Sequence, residues 1–410
     1  MLDFVVRNAR LPEHAEQTVD IGFERGRIAA VESGLVCDAP EYDADGNLCC
    51  GGLCETHIHL DKSRIFDRCA PEPGRNARDH VKRVAAVKNT FTVEDVRHRA
   101  QATLEGCIAH GTTRMRTHLE VDPGVGMRSF EAIRSLVDDY KWAIDLAICI
   151  FPQEGLTNNP GTEELMVEGL KRGANCIGAA PGYDTDRTAQ INRVFALGRE
   201  YDVDIDMHLD FGNTPDDMDI DLVCRLTETC RLGGRVTVGH GTKYSTLAFE
   251  AQKQLAKRLG DVGVAVTVLP ATDLFLMGRD QTHDVRRGLV DANLFVDQGC
   301  NCSISSNNIL NPFTPFGNGS LMRMCNMHAN VLQVAHAERI AECFAMVTSR
   351  SARLMNLKDY GIKAGNPADV VVMDATSPYQ AVAEVREPLA VFKNGRRTVT
   401  RHRTQLHPPR

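Results

Sequence analysis

The sequence predicts an α/β fold, in which a (β/α)8 barrel carries a small β-sandwich built from both ends of the chain. Two observations lead to this prediction. Short apolar stretches that end in polar residues or glycine recur through the middle of the chain, with helical patterns between them. The two ends instead show short strands separated by turn signals. The length of 410 residues exceeds the roughly 250 that a barrel alone requires.

The predicted barrel strands recur regularly. After a longer first interval, their ends follow one another every 28 to 37 residues, which is the rhythm of a TIM-like barrel. One intervening helix is typical: Thr92 and Asp95 form a capping-box pattern, and Gly111 ends the element. The eight strand ends are placed near His59, His118, Pro152, Ala180, His208, His240, Leu269 and Ser306.

The terminal segments are predicted to pair into one composite β-sandwich. Residues 4–6, 19–23 and 27–31 form strand patterns near the amino terminus. Residues 368–373 and 389–396 do so near the other end, the second with an Asn-Gly hairpin signal. We therefore expect residues 1–50 and 359–403 to form the sandwich and residues 51–358 to form the metal-dependent barrel.

Composition restricts the partners. A net charge of −7 and a pI near 6.1 argue against a nucleic-acid partner, because such proteins usually carry a basic face. The basic tail from Arg396 to Arg403 is interpreted as a solvated terminus. No apolar run approaches the roughly 18 residues that a membrane span requires, so we expect a cytoplasmic protein. The 14 cysteines are interpreted as reduced core residues, although Cys300 and Cys302 have the spacing of a ligand pair.

Histidines at the predicted strand ends carry the functional signal. His57 and His59 are two residues apart on one strand, so their side chains face the same way. His208 and His240 end two later strands. Because the carboxyl ends of barrel strands meet at one face, these four of the 14 histidines should converge there. Neutral imidazoles that share one point favour a Zn or Fe site.

The motifs resemble those of the amidohydrolase superfamily, and within it the cytosine deaminase and N-isopropylammelide amidohydrolase group. The resemblance covers essentially the whole chain, including its terminal strands. The segments that carry it are residues 57–62 (HIHLDK), 116–120 (RTHLE), 151–155 (FPQEG), 206–208 (DMH), His240 and 359–369 (DYGIKAGNPAD).

This resemblance implies a metal centre. It makes His57, His59 and His208 metal ligands and places His240 beside the attacking water. Some superfamily members bridge two metals through a lysine on strand 4, whereas residues 177–181 here contain none. We therefore expect one divalent metal ion, Zn or Fe, as the cofactor.

Two positions depart from the group's pattern. Asn307 stands where the strand 8 aspartate belongs, and Phe211 stands where a glutamate follows the strand 5 histidine. Asn307 could ligate through its carbonyl oxygen. Asp210 either takes over proton transfer or is a strand-end residue bonded to backbone. His240, Asp210 and Asn307 are therefore the candidate catalytic residues.

Substrate-binding residues are assigned around this centre. The resemblance gives Gln153 the contact to a heterocycle's amide edge, because an amide both donates and accepts. Phe211 and Phe313 either stack on a planar ring or serve core packing. Asn308 is also assigned to substrate binding. Lys62 either meets a substrate oxygen or pairs with a neighbouring carboxylate.

The function that follows is a metal-dependent hydrolase that cleaves a carbon–nitrogen bond in a cyclic amidine, a cyclic amide or an amino-substituted pyrimidine- or triazine-like ring. The alternative is a divergent protein of the same fold that binds a small heterocycle or runs a non-hydrolytic reaction, because the usual Asp and Glu are missing. Of the three functions considered, a purely structural role agrees least with four converging histidines. We expect a small-molecule substrate, no nucleic-acid or membrane partner, and a homo-oligomer.

Overall fold

Strands and helices alternate through most of the chain. The structure is a computed structural model that describes residues 1–13, 17–72 and 76–407. In chain order, its strands are β1 (Phe4–Arg10), β2 (Thr18–Glu24), β3 (Arg27–Glu32), β4 (Glu41–Asp43), β5 (Cys49–Gly51), β6 (Leu53–Ile58), β7 (Thr112–Glu120), β8 (Asp145–Phe151), β9 (Cys176–Ile177), β10 (Asp204–Leu209), β11 (Val236–His240), β12 (Val264–Val268), β13 (Cys302–Ile304), β14 (Val370–Met373), β15 (Pro388–Lys393) and β16 (Arg396–Thr400).

Helices follow most of the central strands. They are α1 (Ala77–Lys88), α2 (Val93–Ala109), α3 (Arg128–Tyr140), α4 (Thr162–Lys171), α5 (Arg187–Glu200), α6 (Ile220–Cys230), α7 (Phe249–Val262), α8 (Pro270–Leu276), α9 (Ala292–Asp297), α10 (Leu321–Val331), α11 (Ala337–Ala345), α12 (Ser349–Leu354) and α13 (Pro378–Ala383). Short 3₁₀ turns cover Pro181–Tyr183 and Thr242–Thr246.

The central strands β6 to β13 form one eight-stranded parallel sheet in sequential order. A parallel bridge between Ile58 and Asn307 brings its two ends together. There the backbone N–H of His59 donates to Asn307 O at 2.8 Å, and Asn307 N–H donates to His57 O at 2.9 Å. The predicted (β/α)8 barrel is confirmed, and each strand ends close to the residue expected from sequence.

Burial explains why these segments become barrel strands. Every residue of β6, β11 and β12 is buried, as expected for strands covered by helices on one face and by the barrel interior on the other. Helix α2 begins as its sequence predicts. The Thr92 hydroxyl accepts a hydrogen bond from the backbone of Asp95 at 3.2 Å, which satisfies one free N–H of the first turn.

The chain ends form the predicted composite sandwich. One four-stranded sheet has the order β3-β2-β1-β4, and the other has the order β16-β15-β14-β5. The short strand β5, directly before the barrel, pairs antiparallel with β14 and so joins the two ends of the chain. The sheets share a core that includes Val6, Ile21, Phe23, Val370 and Phe392. We retain residues 1–50 and 359–403 against 51–358 as the proposed division into domains.

Two details of the terminal segments refine the sequence prediction. The basic tail is not wholly a solvated terminus, because Arg396 begins β16 after the Asn394-Gly395 turn, at which both residues have positive φ. Further along, Arg401 pairs with Glu387 at 2.5 Å.

All 14 cysteines are free. Cys300 and Cys302 are fully buried among apolar side chains, so they serve packing. No helix within the described ranges is long and apolar enough to cross a bilayer.

Candidate metal centre and active site

Three histidines meet at the open end of the barrel. His57 lies on β6, His59 is the first residue after that strand, and His208 lies on β10. Nε2 of His208 is 3.1 Å from Nε2 of His57 and 3.0 Å from Nε2 of His59. The structure therefore brings together the three residues that the sequence assigned to the metal.

The chemistry of this donor set suits a divalent cation. Burial is the main cause that lowers the pKa of His57 to about 3, and it lowers the pKa values of His59 and His208 well below their usual range. Neutral rings carry the lone pair that a metal requires. Tetrahedral Zn–N bonds of about 2.0–2.1 Å place ligand nitrogens roughly 3.3 Å apart, close to the spacing found here. The residues present therefore fit one Zn-sized or Fe-sized ion.

A buried carboxylate lies beside His57. Asp206 Oδ1 lies 3.5 Å from His57 Nδ1 and 3.4 Å from His118 Nε2. The His118 ring stacks on that of His57 with centroids 3.6 Å apart. Arg116 neutralises Asp206 at 3.1 Å and also pairs with Asp204. A carboxylate beside Nδ1 favours the tautomer that leaves Nε2 free to bind a metal.

His240 forms a hydrogen-bonded pair with a buried carboxylate beside the three histidines. Its Nδ1 is 2.6 Å from Asp273 Oδ1, and the Asp273 carboxylate is fully buried in α8. Because a carboxylate only accepts, Nδ1 must donate. The opposite nitrogen, Nε2, is then the proton acceptor of the neutral ring. His240 lines the same cleft as His59 and His208.

Asp210 is held by the backbone. Its Oδ1 accepts from Asp219 N–H at 2.8 Å, and its Oδ2 accepts from Ile220 N–H at 3.2 Å and from the Tyr244 hydroxyl at 3.0 Å. Burial raises the pKa of Asp210 to about 6. These contacts at the start of α6 favour the backbone-bonded alternative over the role of proton carrier.

The cleft above the histidines contains all the residues assigned to substrate binding. The Phe211 ring stands edge-on to His240, with centroids 5.5 Å apart. The lining includes His59, Lys62, Tyr183, Gln153, His208, Asp210, Phe211, His240, Asn307, Asn308 and Phe313.

The polar members of this set already have protein partners. The Lys62 ammonium pairs with Glu120 and donates to Gln153 Oε1 at 3.0 Å, so the pairing alternative for Lys62 is found. Asn308 donates to Asn307 and accepts from Asn311. The side-chain NH₂ and the side-chain oxygen of Asn308 are thus both hydrogen-bonded within the protein. This favours a supporting role over direct substrate contact.

A buried ionic cluster supports one wall of the cleft. Lys88 contacts the carboxylates of Glu120, Asp122 and Glu154. Burial acts to raise the pKa of Glu120, but Lys62 and Lys88 outweigh it and hold that pKa at about 2. The lysine ammonium sits among these acids and supplies the positive charge that they require, so the cluster is interpreted as structural.

Asp184 ties two loops together at the rim of the cleft. It accepts hydrogen bonds from the backbone of Leu156 and Thr157 after β8, and from Gln190 on α5. Burial acts to raise its pKa, but these bonds, with that of the Thr157 hydroxyl, hold the pKa at about 2. A depressed pKa contributes stability above the unfolded value near 4, and this stability is lost as the pH falls through the folded value.

We therefore expect Asp184→Asn to lower the free energy of unfolding by about 1 kcal/mol at neutral pH, a figure discounted for partial exposure. The difference should shrink as the pH falls from about 4 towards 2. Denaturant unfolding of both proteins at neutral pH and at low pH measures this difference in unfolding free energy. Asp138→Asn, in an exposed pair with Arg134, is the control with little expected effect. An undiminished difference at low pH would contradict this account.

Sequence reasoning missed Asp206, His118 and Asp273 as parts of the site. Asp206 and His118 carried a signal, since each lies within a quoted motif on a barrel strand. Asp273 follows β12 in a short helix without a recognisable motif. Only the fold shows that its carboxylate meets His240.

Comparisons with known proteins agree with this architecture. A family model described as "Amidohydrolase family" matches residues 150–399. The chain is 28% identical over 407 residues to N-isopropylammelide isopropyl amidohydrolase of Pseudomonas sp. (strain ADP), with 96% of each chain covered. It is 24% identical over 347 residues to pterin deaminase of Rhizobium rhizogenes (strain K84 / ATCC BAA-868), covering 83% of this chain and 78% of the relative.

A solved structure matches over nearly the whole chain. The crystal structure of 5-methylcytosine deaminase from Klebsiella pneumoniae, liganded with 5-fluorocytosine, superposes with a TM-score of 0.93 at 26% identity. The match covers 99% of both chains, so it includes the barrel and the terminal strands.

Proposed function

The chain belongs to the amidohydrolase family, in its cytosine deaminase-like group, and from that premise we propose that it hydrolyses a carbon–nitrogen bond in a planar nitrogen heterocycle. The bond is that of an exocyclic amine or of a ring amide or amidine. The chain is an enzyme of this superfamily, and its named relatives act on heterocyclic compounds. One divalent ion, Zn or Fe, would be held by His57, His59 and His208.

One observation carries the proposal: three neutral imidazole nitrogens converge at the mouth of a barrel. With the proton of each ring on Nδ1, the spacing of 3.0–3.1 Å between His208 Nε2 and its two neighbours brings lone pairs together, which is unfavourable without a cation and favourable around one. A bound divalent ion would lower the pKa of water and polarise the attacked carbon. No lysine lies on β9, which supports one ion rather than a bridged pair.

His240 is proposed to move the proton. With Nδ1 committed to Asp273 at 2.6 Å, Nε2 accepts a proton from the attacking water. In the reaction, the water oxygen forms a bond to the ring carbon, and the carbon–nitrogen bond breaks. The same Nε2 then returns the proton to the departing nitrogen, which leaves as ammonia or an amine when the bond is exocyclic and remains attached to the opened ring when a ring bond is cleaved. Asp273 stabilises the protonated ring between the two transfers.

Aromatic side chains are proposed to hold the ring of the substrate. Phe211 and Phe313 line the cleft, and flat apolar walls suit a planar heterocycle. The Lys62 ammonium lies 5.0 Å from the Phe313 ring centroid, and this cation–π contact restrains the ring. Phe211 takes the position of the group's proton-carrying glutamate. His240 with Asp273 is left as the acid–base pair in the cleft.

A second function has a specific observation in its favour. The Asp210 carboxylate accepts hydrogen bonds from the backbone at the start of α6. Asn307 and Phe211 stand at the two positions where the group has carboxylates, and neither side chain can accept a proton as a carboxylate would. A relative that binds a heterocycle, or that runs a reaction without water activation, would tolerate this loss. In that case Asn307→Asp combined with Phe211→Glu should create deaminase activity that the parent lacks.

The direct test is hydrolysis by metal-loaded protein. We expect release of ammonia or an alkylamine from at least one member of a panel of amino-substituted pyrimidines, triazines and pterins. The product should carry a carbonyl oxygen at the position that lost nitrogen, as measured by mass spectrometry. His240→Ala with full metal content serves as the control and should be inactive. Metal-replete protein that is inert across the panel would contradict the proposed hydrolysis and favour the second function.

A further inference from the structure

Three asparagines form a hydrogen-bonded chain that ends at the metal centre. Asn311 Nδ2 donates to Asn308 Oδ1 at 2.7 Å, and Asn308 Nδ2 donates to Asn307 Oδ1 at 3.0 Å. All three residues are buried. Asn307 lies between His57 and His59 through its backbone hydrogen bonds to both.

The donor-to-acceptor direction of this chain of asparagines is fixed at Asn311. Asn311 Oδ1 accepts from the backbone N–H groups of Phe313 at 3.0 Å and Thr314 at 3.1 Å, and Nδ2 donates to Lys62 O at 3.2 Å. A backbone N–H cannot bond to an amide NH₂, so the Asn311 side chain has one orientation. Each amide then orients the next. Asn307 must therefore turn its oxygen towards Asn308.

The consequence is an amide NH₂ left over at the site. Asn307 Nδ2 is buried and has no hydrogen-bond partner among residues 1–13, 17–72 and 76–407. Asn307 also lines the cleft. A buried donor without a partner is costly, and a ligand that accepts a hydrogen bond would remove that cost.

Gln153 is oriented in the same sense. Its Oε1 accepts from the Lys62 ammonium at 3.0 Å, and an ammonium group can only donate. The free group of Gln153 is therefore its NH₂ as well. This changes the sequence-based expectation, in which the glutamine would both donate to and accept from a substrate edge.

We propose that Asn307 is a hydrogen-bond donor to the bound ligand rather than a metal ligand, and that with Gln153 it selects a ring that presents acceptor oxygens. This inference rests on the proposed function, because it describes the same cleft.

The first test measures metal binding and does not depend on turnover. Asn307→Gly removes the side chain without strain, because φ at this position is 59°. Titration with Zn²⁺ should give an affinity within about threefold of the wild type. Asn307→Asp should bind Zn²⁺ at least about tenfold more tightly, since a carboxylate adds a charged ligand. A tenfold loss of Zn²⁺ affinity in Asn307→Gly would overturn the proposal by making the amide oxygen a ligand.

The second test uses two planar triazines of opposite hydrogen-bonding character. Cyanuric acid presents carbonyl oxygens, and melamine presents amino groups. In Zn²⁺-loaded protein, cyanuric acid should bind at least about tenfold more tightly, and Asn307→Gly should remove most of that preference. Calorimetry measures both. Equal binding, tighter binding of melamine, or an unchanged preference in Asn307→Gly would each overturn the inference.

Asn308→Ala tests whether the hydrogen-bonded chain of asparagines orients Asn307. Without its donor, the Asn307 amide is free to turn its oxygen towards the metal, so Zn²⁺ affinity should rise and the preference for cyanuric acid should fall. Unchanged values for both would contradict the orienting role of Asn308.

Failure of this inference and failure of the proposed function can be told apart. If Zn²⁺ binds to the three histidines and a heterocycle is hydrolysed, but the triazine preference is absent, only the inference is wrong. If no divalent metal binds, the proposed function is wrong whatever the triazines do.

Discussion

Replacing His208 by alanine should reduce hydrolytic activity by at least about a thousandfold. His208 is the residue whose Nε2 lies within 3.1 Å of Nε2 on both other histidines. Two neutral imidazoles alone hold a divalent ion poorly, so the group that activates water would be lost. Initial rates on the best substrate of the heterocycle panel measure the effect.

A matched control separates this loss from a general effect of removing histidine. His98 is exposed on α2, and His98→Ala should retain wild-type activity. His208 also stacks on Phe151 with centroids 4.6 Å apart, so thermal unfolding should be followed in parallel. A folded His208→Ala protein with more than about a tenth of wild-type activity would exclude the three-histidine centre as the catalytic site.

Asp273→Asn should lower the rate by about a hundredfold to ten-thousandfold while leaving metal content unchanged. Asp273 Oδ2 lies 3.4 Å from the backbone N–H of Leu269, which favours the amide oxygen on that side. The amide NH₂ would then face His240 Nδ1 and force the proton onto Nε2. His240 would present a donor to the cleft in place of the acceptor that catalysis requires.

The combination of readouts makes this result specific to a positioning role. A rate within about twofold of wild type, with metal retained, would show that Asp273 does not set the state of His240. Loss of metal together with activity would mean that the carboxylate acts through the metal centre instead.

The barrel could be predicted because its signal is local and repeated. Each buried strand is a short apolar run, and the run ends where the polar active-site face begins. The sequence located even β9, of which only Cys176 and Ile177 are paired as strand, because its short apolar stretch ends near Ala180 and the interval to the neighbouring strands is regular. The resemblance to the amidohydrolase superfamily is also confirmed.

Shorter elements were missed because their pairing depends on distant partners. Strand β5, residues Cys49–Gly51, is stabilised as a strand by β14, more than 300 residues away. Strand β4 likewise forms only three residues beside β1. Neither has enough residues to show a period of its own. Turn chemistry succeeded where it was purely local, as at Asn394-Gly395.

The candidate site divides in the same way. Period-two spacing placed His57 beside His59, and barrel geometry brought His208 to them. The partner of His240 was not accessible, because Asp273 lies in a helix after a different strand. The orientation of Asn307 was not accessible either, because it depends on a series of side-chain hydrogen bonds within the loop after β13. Asn311 was not among the residues assigned from the sequence, yet its side-chain oxygen accepts from two backbone N–H groups, and these two bonds set the direction in which the Asn307 amide is turned.

The metal content of purified protein tests the central claim most directly, namely that His57, His59 and His208 share one divalent ion. Elemental analysis should find one Zn or Fe per wild-type chain and nearly none in folded His208→Ala. Wild-type protein that binds no divalent metal even after loading, or a His208→Ala variant that keeps a full equivalent, would contradict it.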